Sequence, residues 1–131
     1  MLTTDRINDI CDGWAVPHVV VLPLRRRDYT AWYVPRRVQC ASIRRSLPAD
    51  VILLTNRRDY ITICHELAHH IVFHEHDSPT LWHLHSARWQ RTFARLLVEE
   101  LKYSPSHARR IVIREMTSGR ACNEHPEHNS H

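Results

Sequence analysis

The stretch Ile63-Cys64-His65-Glu66-Leu67-Ala68-His69-His70-Ile71-Val72-Phe73-His74 is where the chain changes its period. From Asp59 to about Phe73 the residues Ile63, Leu67, His70/Ile71 and His74 recur at spacings of three and four, which predicts an α-helix. Within it, His65-Glu66-Leu67-Ala68-His69 is an H-E-x-x-H. Residues four apart share one helix face, so both imidazoles can reach a single metal ion at ~2.0–2.1 Å. Glu66, next to the first imidazole, projects beside such an ion, where a carboxylate can take a proton from an activated water. Three ionisable groups on a helix flanked by Ile63, Leu67 and Ile71 are costly to bury unless something compensates them, and a metal ion does.

Two imidazoles do not complete such a site, because a catalytic zinc normally has three protein ligands and an open position. The candidates downstream are His70, His74, His76, Asp77, His83, His85, Glu99 and Glu100. His70 lies about 100° around the helix from His69, which predicts a surface or supporting position. His74 is five residues past His69, so a straight helix turns it away. His85 opens a second amphipathic stretch, roughly 85–102, striped by Trp89, Phe93, Leu96/Leu97 and Leu101. Docking that stripe on the first helix would aim His85 back at the pair. His83 is its near competitor.

Working outward, residues 3–13 read as a helix with Thr4 as a possible N-cap and Gly13 at its end. His18–Leu24 reads as a strand that Pro23 terminates or pushes to an edge. Tyr29–Val34, Val38–Ile43 and Val51–Thr55 read as further short strands, the last with an edge free for an extended substrate. Ser104-Pro105 is an N-cap followed by proline at the first helical position, opening a last helix to about Met116. Thr117 to His131 is polar and aperiodic, so a disordered tail is expected after a single domain spanning 1–116. One helix, then strands, then helices make an α+β layer with a small mixed or antiparallel sheet.

Composition narrows the function classes. The chain has 131 residues, enough for one domain with its own core, and a formal net charge of +4. Its two glycines, Gly13 and Gly119, are isolated, so no phosphate-cradling loop and no nucleotide cofactor are expected. No apolar run approaches the roughly 20 residues of a membrane span, and the acidic N-terminus resembles no export signal, so a cytoplasmic protein is expected. Cys11, Cys40, Cys64 and Cys122 form no C-x-x-C and read as reduced thiols. Between Arg25 and Arg58 nine Arg face only Asp28 and Asp50, with Tyr29, Trp32 and Tyr33 among them. Arg forks and interleaved aromatics suit a nucleic-acid surface, with Arg36, Arg37, Arg44 and Arg45 as candidate contacts.

His65-Glu66-Leu67-Ala68-His69, followed by His85-Ser86-Ala87-Arg88-Trp89, resembles the SprT-like (Spartan-like) zinc metalloproteases. Their pattern is H-E-x-x-H, a loop, and H-G-x-x-[FW] opening a helix whose His is the third ligand. Val51-Ile52-Leu53-Leu54-Thr55-Asn56-Arg57-Arg58 also looks like the strand leading into that family's active helix. The resemblance covers roughly residues 50–102. Ser86 stands where the family usually has Gly, and the cysteines of the C-terminal zinc ribbon of many members are absent. It implies a zincin-like fold, one zinc per chain on His65, His69 and His85, Glu66 as general base, and a peptidase acting on DNA-associated proteins. An ImmA/IrrE-like repressor-cleaving peptidase would instead take its third ligand from Glu99 or Glu100. A non-catalytic DNA-binding module with structural zinc would have no use for Glu66 as a base.

Overall fold

A computed structural model describes residues 1–25, 31–39, 44–46, 48–75 and 84–117, with the backbone alone for 37–39 and 44–46. The elements run α1 (Thr4–Gly13), β1 (Val19–Pro23), β2 (Ala31–Val34), β3 (Arg37–Gln39), β4 (Arg44–Ser46), β5 (Asp50–Leu54), α2 (Tyr60–Glu75), α3 (Ala87–Leu101) and α4 (Pro105–Thr117). This is a small α+β fold with a mixed three-stranded sheet in the order β1-β5-β2. β5 pairs parallel with β1, Val19 opposite Asp50, and antiparallel with β2, Ala31 opposite Leu54.

Burial alternates along β5, with Asp50, Ile52 and Leu54 buried and Val51 and Leu53 half-buried between them. That period of two turns one face toward α2. β1 lies at the edge, and Pro23, which has no amide proton to donate, is its last residue. The sequence expectation for the strand at 51–55 needs correction. β5 is the central strand, flanked on both sides, so its edge is not open to an extended substrate. Of the strand expected over 38–43, residues 38 and 39 belong to β3, which pairs antiparallel with β4 as a separate two-stranded sheet, Arg37 opposite Ser46 and Gln39 opposite Arg44. Residues 40–43 between them lie outside the described residues.

The helix carrying the H-E-x-x-H is the middle layer. From Thr62 to Val72 every residue of α2 is buried, because β2 and β5 cover one side and α3 the other. A helix buried all round has no polar face to offer water. Its histidines and glutamate must therefore find partners inside the protein. Asp59 starts it, accepting hydrogen bonds from the Thr62 amide at 3.1 Å and the Thr62 hydroxyl at 2.6 Å. Ile63, Leu67, Trp89, Phe93, Leu96 and Leu97 fill the α2–α3 seam and belong to the one core that also takes in Ile7, Ile52 and Ile111.

The helix ends follow their sequence signals with local shifts. Thr3, rather than Thr4, caps α1, its hydroxyl accepting from the Arg6 amide at 3.1 Å. Gly13 is the last helical residue, and the left-handed backbone angle that reverses the chain falls on Ala15 (φ 55°). Ser86 caps α3, accepting from the Trp89 amide at 3.2 Å. Ser104 receives the His107 amide at 3.2 Å ahead of Pro105, and α4 runs one residue past the predicted boundary, to Thr117. The predicted tail beyond it lies outside the described residues.

Candidate metal centre

Each predicted ligand reaches the centre by a different local device. His65 and His69 sit one turn apart on the α3 side of α2. His85 precedes the Ser86 cap, and its backbone is pinned because Gln90 donates its side-chain amide to the His85 carbonyl at 3.1 Å. The Ser86 cap orients the first turn of α3, so a serine at this position has a structural task that glycine would perform less well. Trp89, one turn on, donates its indole N–H to the His65 carbonyl at 3.3 Å and packs its ring on His69 and His85, with centroids 5.3 and 4.1 Å away. It is the wall against which all three imidazoles are set.

The three rings are mutually equidistant. Centroid separations are 5.2 Å for His65–His69, 5.1 Å for His65–His85 and 5.2 Å for His69–His85. An imidazole nitrogen ~2.1 Å from an ion puts its ring centroid about 3.2 Å away, and tetrahedral angles then separate such centroids by about 5.2 Å. One nitrogen from each ring lies within 4.8 Å of the others. The residues present therefore fit three imidazole ligands on one metal ion. His65, His69 and Glu66 are fully buried, and His85 is half-buried.

The two nitrogens of His65 face different carboxylates. Its Nε2 lies 3.5 Å from Glu66 Oε2, and its Nδ1 lies 3.3 Å from Glu115 Oε1. Glu115 projects from α4 and is 2% exposed. A carboxylate on Nδ1 holds that nitrogen protonated and leaves Nε2 with the lone pair a metal needs. Sequence reading missed Glu115, although its signal was present. Ala108, Ile111, Val112 and Glu115 share the buried face of α4, so an acid stands where the apolar stripe calls for an aliphatic residue.

The other candidates are elsewhere. Glu99 pairs with Arg95 at 2.6 Å and Glu100 with Arg6 at 2.6 Å, both away from the imidazoles. His76, Asp77 and His83 lie outside the described residues. His70 corrects the expectation of a surface position: it is fully buried on the sheet side of α2, between the Tyr33 hydroxyl at 2.9 Å and the Pro17 carbonyl at 2.7 Å. Burial pulls its pKa down to about 4. His74 does turn away from His69, and lies 2.9 Å from Asp50 Oδ2. Burial pushes the Asp50 carboxyl up, but hydrogen bonds from His74 and the Arg36 amide outweigh it and hold the group below the usual carboxylate range.

Of the candidate nucleic-acid contacts, Arg36 is exposed, as are Arg25, Arg57 and Arg58. The backbone register puts Arg37, Arg44 and Arg45 in the β3–β4 ladder, and their side chains lie outside the description. Cys11 and Cys64 are free and buried. Among the described residues no helix is long and apolar enough to cross a membrane. Comparison of the chain with protein-family models, curated proteins and solved structures finds no match.

Proposed function

We propose that this protein is a zinc-dependent peptidase in which His65, His69 and His85 hold the ion and Glu66 is the general base. The observation that carries the reading is the set of three imidazoles at equal spacing with the Glu66 carboxylate 3.5 Å from His65 Nε2. Zinc is favoured over other ions because three neutral imidazoles in a tetrahedral arrangement suit it, and a non-ligating glutamate beside the open position suits a catalytic rather than a structural ion. A zinc ion there would supply Lewis acidity toward a peptide carbonyl and would lower the pKa of a water toward ~7.

The chain's own groups do the rest. Glu66, fully buried, accepts the proton of the attacking water on its carboxylate and returns it to the leaving amine. Glu115 keeps His65 in one tautomer while this happens. Trp89 and Phe93 pack against the His65 ring, and His85 is the half-buried member of the three imidazoles. The resemblance to SprT-like proteases and the Arg25–Arg58 excess support proteins held on DNA as substrates. A repressor-cleaving reading with Glu99 or Glu100 as ligand loses support because both are engaged by arginines.

The test is bound zinc and peptide hydrolysis measured side by side. His85→Ala should lose one equivalent of zinc relative to wild type, and Glu66→Gln should keep its zinc while hydrolysis falls by at least two to four orders of magnitude. Unchanged zinc in His85→Ala, or full hydrolysis in Glu66→Gln, would overturn the assignment.

A further inference from the structure

The reverse side of α2 carries a second i, i+4 histidine pair. His70 and His74 each come five residues after His65 and His69, about 140° around the helix, and face the sheet instead of α3. Asp50, the first residue of β5, points between them. Asp50 Oδ2 lies 2.9 Å from His74 Nε2 and 3.9 Å from His70 Nδ1, and the three donor atoms fall within 4.8 Å of one another. The two ring centroids are 4.9 Å apart.

The hydrogen bonds fix which atoms can bind. The Pro17 carbonyl can only accept, so His70 Nε2, 2.7 Å away, carries the proton and Nδ1 carries the lone pair. A ring whose far nitrogen donates to a backbone carbonyl is the arrangement metal-ligating histidines adopt. The Tyr33 hydroxyl, 2.9 Å from Nδ1, shares that lone pair through one neutral hydrogen bond, a weak competitor for three metal–ligand bonds. The second carboxylate oxygen of Asp50 is held by the Arg36 amide, which fixes the direction of Oδ2.

We propose that Asp50, His70 and His74 form a second metal site that takes a divalent transition ion, distinct from the His65–His69–His85 centre and independent of its function. Donors about 2.1 Å from one ion stand about 3.0 Å apart at right angles and about 3.4 Å apart at tetrahedral angles, and the observed separations bracket those values. Two imidazoles and one carboxylate suit zinc, iron or nickel rather than magnesium or calcium. The ion takes the place of the proton that His74 shares with Asp50, and that proton leaves to solvent. The remaining coordination positions open on a cavity of about 600 Å³ lined by Pro17, His18, Arg36 and Pro48 as well as Asp50 and His74. Water or a small anion can enter there, with the exposed Arg36 at its rim.

The test is titration of the metal-stripped full chain with zinc alone, counting tight equivalents by calorimetry and elemental analysis. Wild type, His74→Ala, Asp50→Asn and His69→Ala are compared. His74 stands in the last turn of α2 with its side chain 24% exposed, so its truncation leaves the core intact, and Asn at position 50 keeps an acceptor for the Arg36 amide. The proposal expects His74→Ala and Asp50→Asn each to bind one equivalent fewer than wild type. His69→Ala should also lose one, and the pair His69→Ala/His74→Ala should lose two. Wild-type stoichiometry in both His74→Ala and Asp50→Asn overturns the second site, whatever His69→Ala does. Loss in those two with none in His69→Ala keeps this site and overturns the first.

Discussion

The contact between Glu115 and His65 ties the candidate centre to the packing of α4, so one substitution reads out both metal binding and folding. Glu115 is 2% exposed and its Oε1 stands 3.3 Å from His65 Nδ1, at the long end of a hydrogen bond. Carboxylates that orient a ligating imidazole are typically worth 10–100-fold in metal affinity, about 1.4–2.7 kcal/mol. The long separation favours the lower half of that range for Glu115→Gln, which keeps an acceptor and loses the charge. Glu115→Leu removes the acceptor as well and should approach the upper end. The metal-free fold should weaken as well, because removing this one partner leaves the buried His65 Nδ1–H without its acceptor, a cost of about 1–3 kcal/mol.

Zinc affinity is read by competition with a chromophoric chelator, and thermal unfolding is followed with and without zinc. At zinc 100-fold above Kd the ion stabilises the fold by about 2.7 kcal/mol, and a tenfold weaker site at the same concentration gives about 1.4 kcal/mol. Glu115→Leu should therefore melt below wild type without zinc and gain much less from its addition. A folded Glu115→Leu protein that binds zinc within about twofold of wild type would refute the orienting role.

Cys11 and Cys64 should resist alkylation in the native protein. Burial, with the nearby Asp12 and Asp50 charges, raises the Cys11 thiol to about 12, so only ~10⁻⁴ of it is thiolate at pH 8. Burial likewise raises Cys64, and peptide mapping after iodoacetamide should find both labelled only in denaturant. The raised Cys11 value also sets a sign for stability. The unfolded thiol ionises from pH 9.0 while the folded one stays protonated, so this group erodes stability as pH rises above 9, and Cys11→Ala should flatten that limb in thermal melts. At the cap of α3, Ser86→Ala should cost about 1 kcal/mol and Ser86→Gly only a few tenths, read as shifts in unfolding midpoint. For the basic stretch, binding to duplex DNA should weaken steeply with salt, and an affinity unchanged between 50 and 200 mM salt would rule out phosphate contact.

Most of the first centre was legible because its residues lie on strongly periodic helices. The H-E-x-x-H and the Trp89–Phe93–Leu96 stripe each fix a face, and docking two faces leaves His85 little freedom. Glu115 was harder to find because it comes from an element 50 residues away in sequence and reaches His65 through helix packing alone. The sheet was legible as strands and not as an order. Short β-branched runs announce strands, yet nothing local states that β5 pairs with both β1 and β2 across the intervening chain. That order decides two things at once. It denies β5 a free edge, and it brings Asp50 under His70 and His74.

The middle position of α2 also explains why its histidines come in two adjacent pairs. A helix covered on one side only can send polar residues to water, and an H-E-x-x-H on it would need no second polar face. With sheet on one side and α3 on the other, polar residues on either face must be matched by partners from the layer they meet. The α3 side meets that demand with imidazoles and carboxylates around one point, from His85 and Glu115. The sheet side meets it with Asp50, Tyr33 and the Pro17 carbonyl. His70, locked to strand and loop at both nitrogens, sits directly after His69 on the same turn. A rotation of α2 that moved His69 out of reach of His85 would therefore break the His70 bonds too. The polar contacts on the sheet side thereby set the angle at which the other face presents His65 and His69.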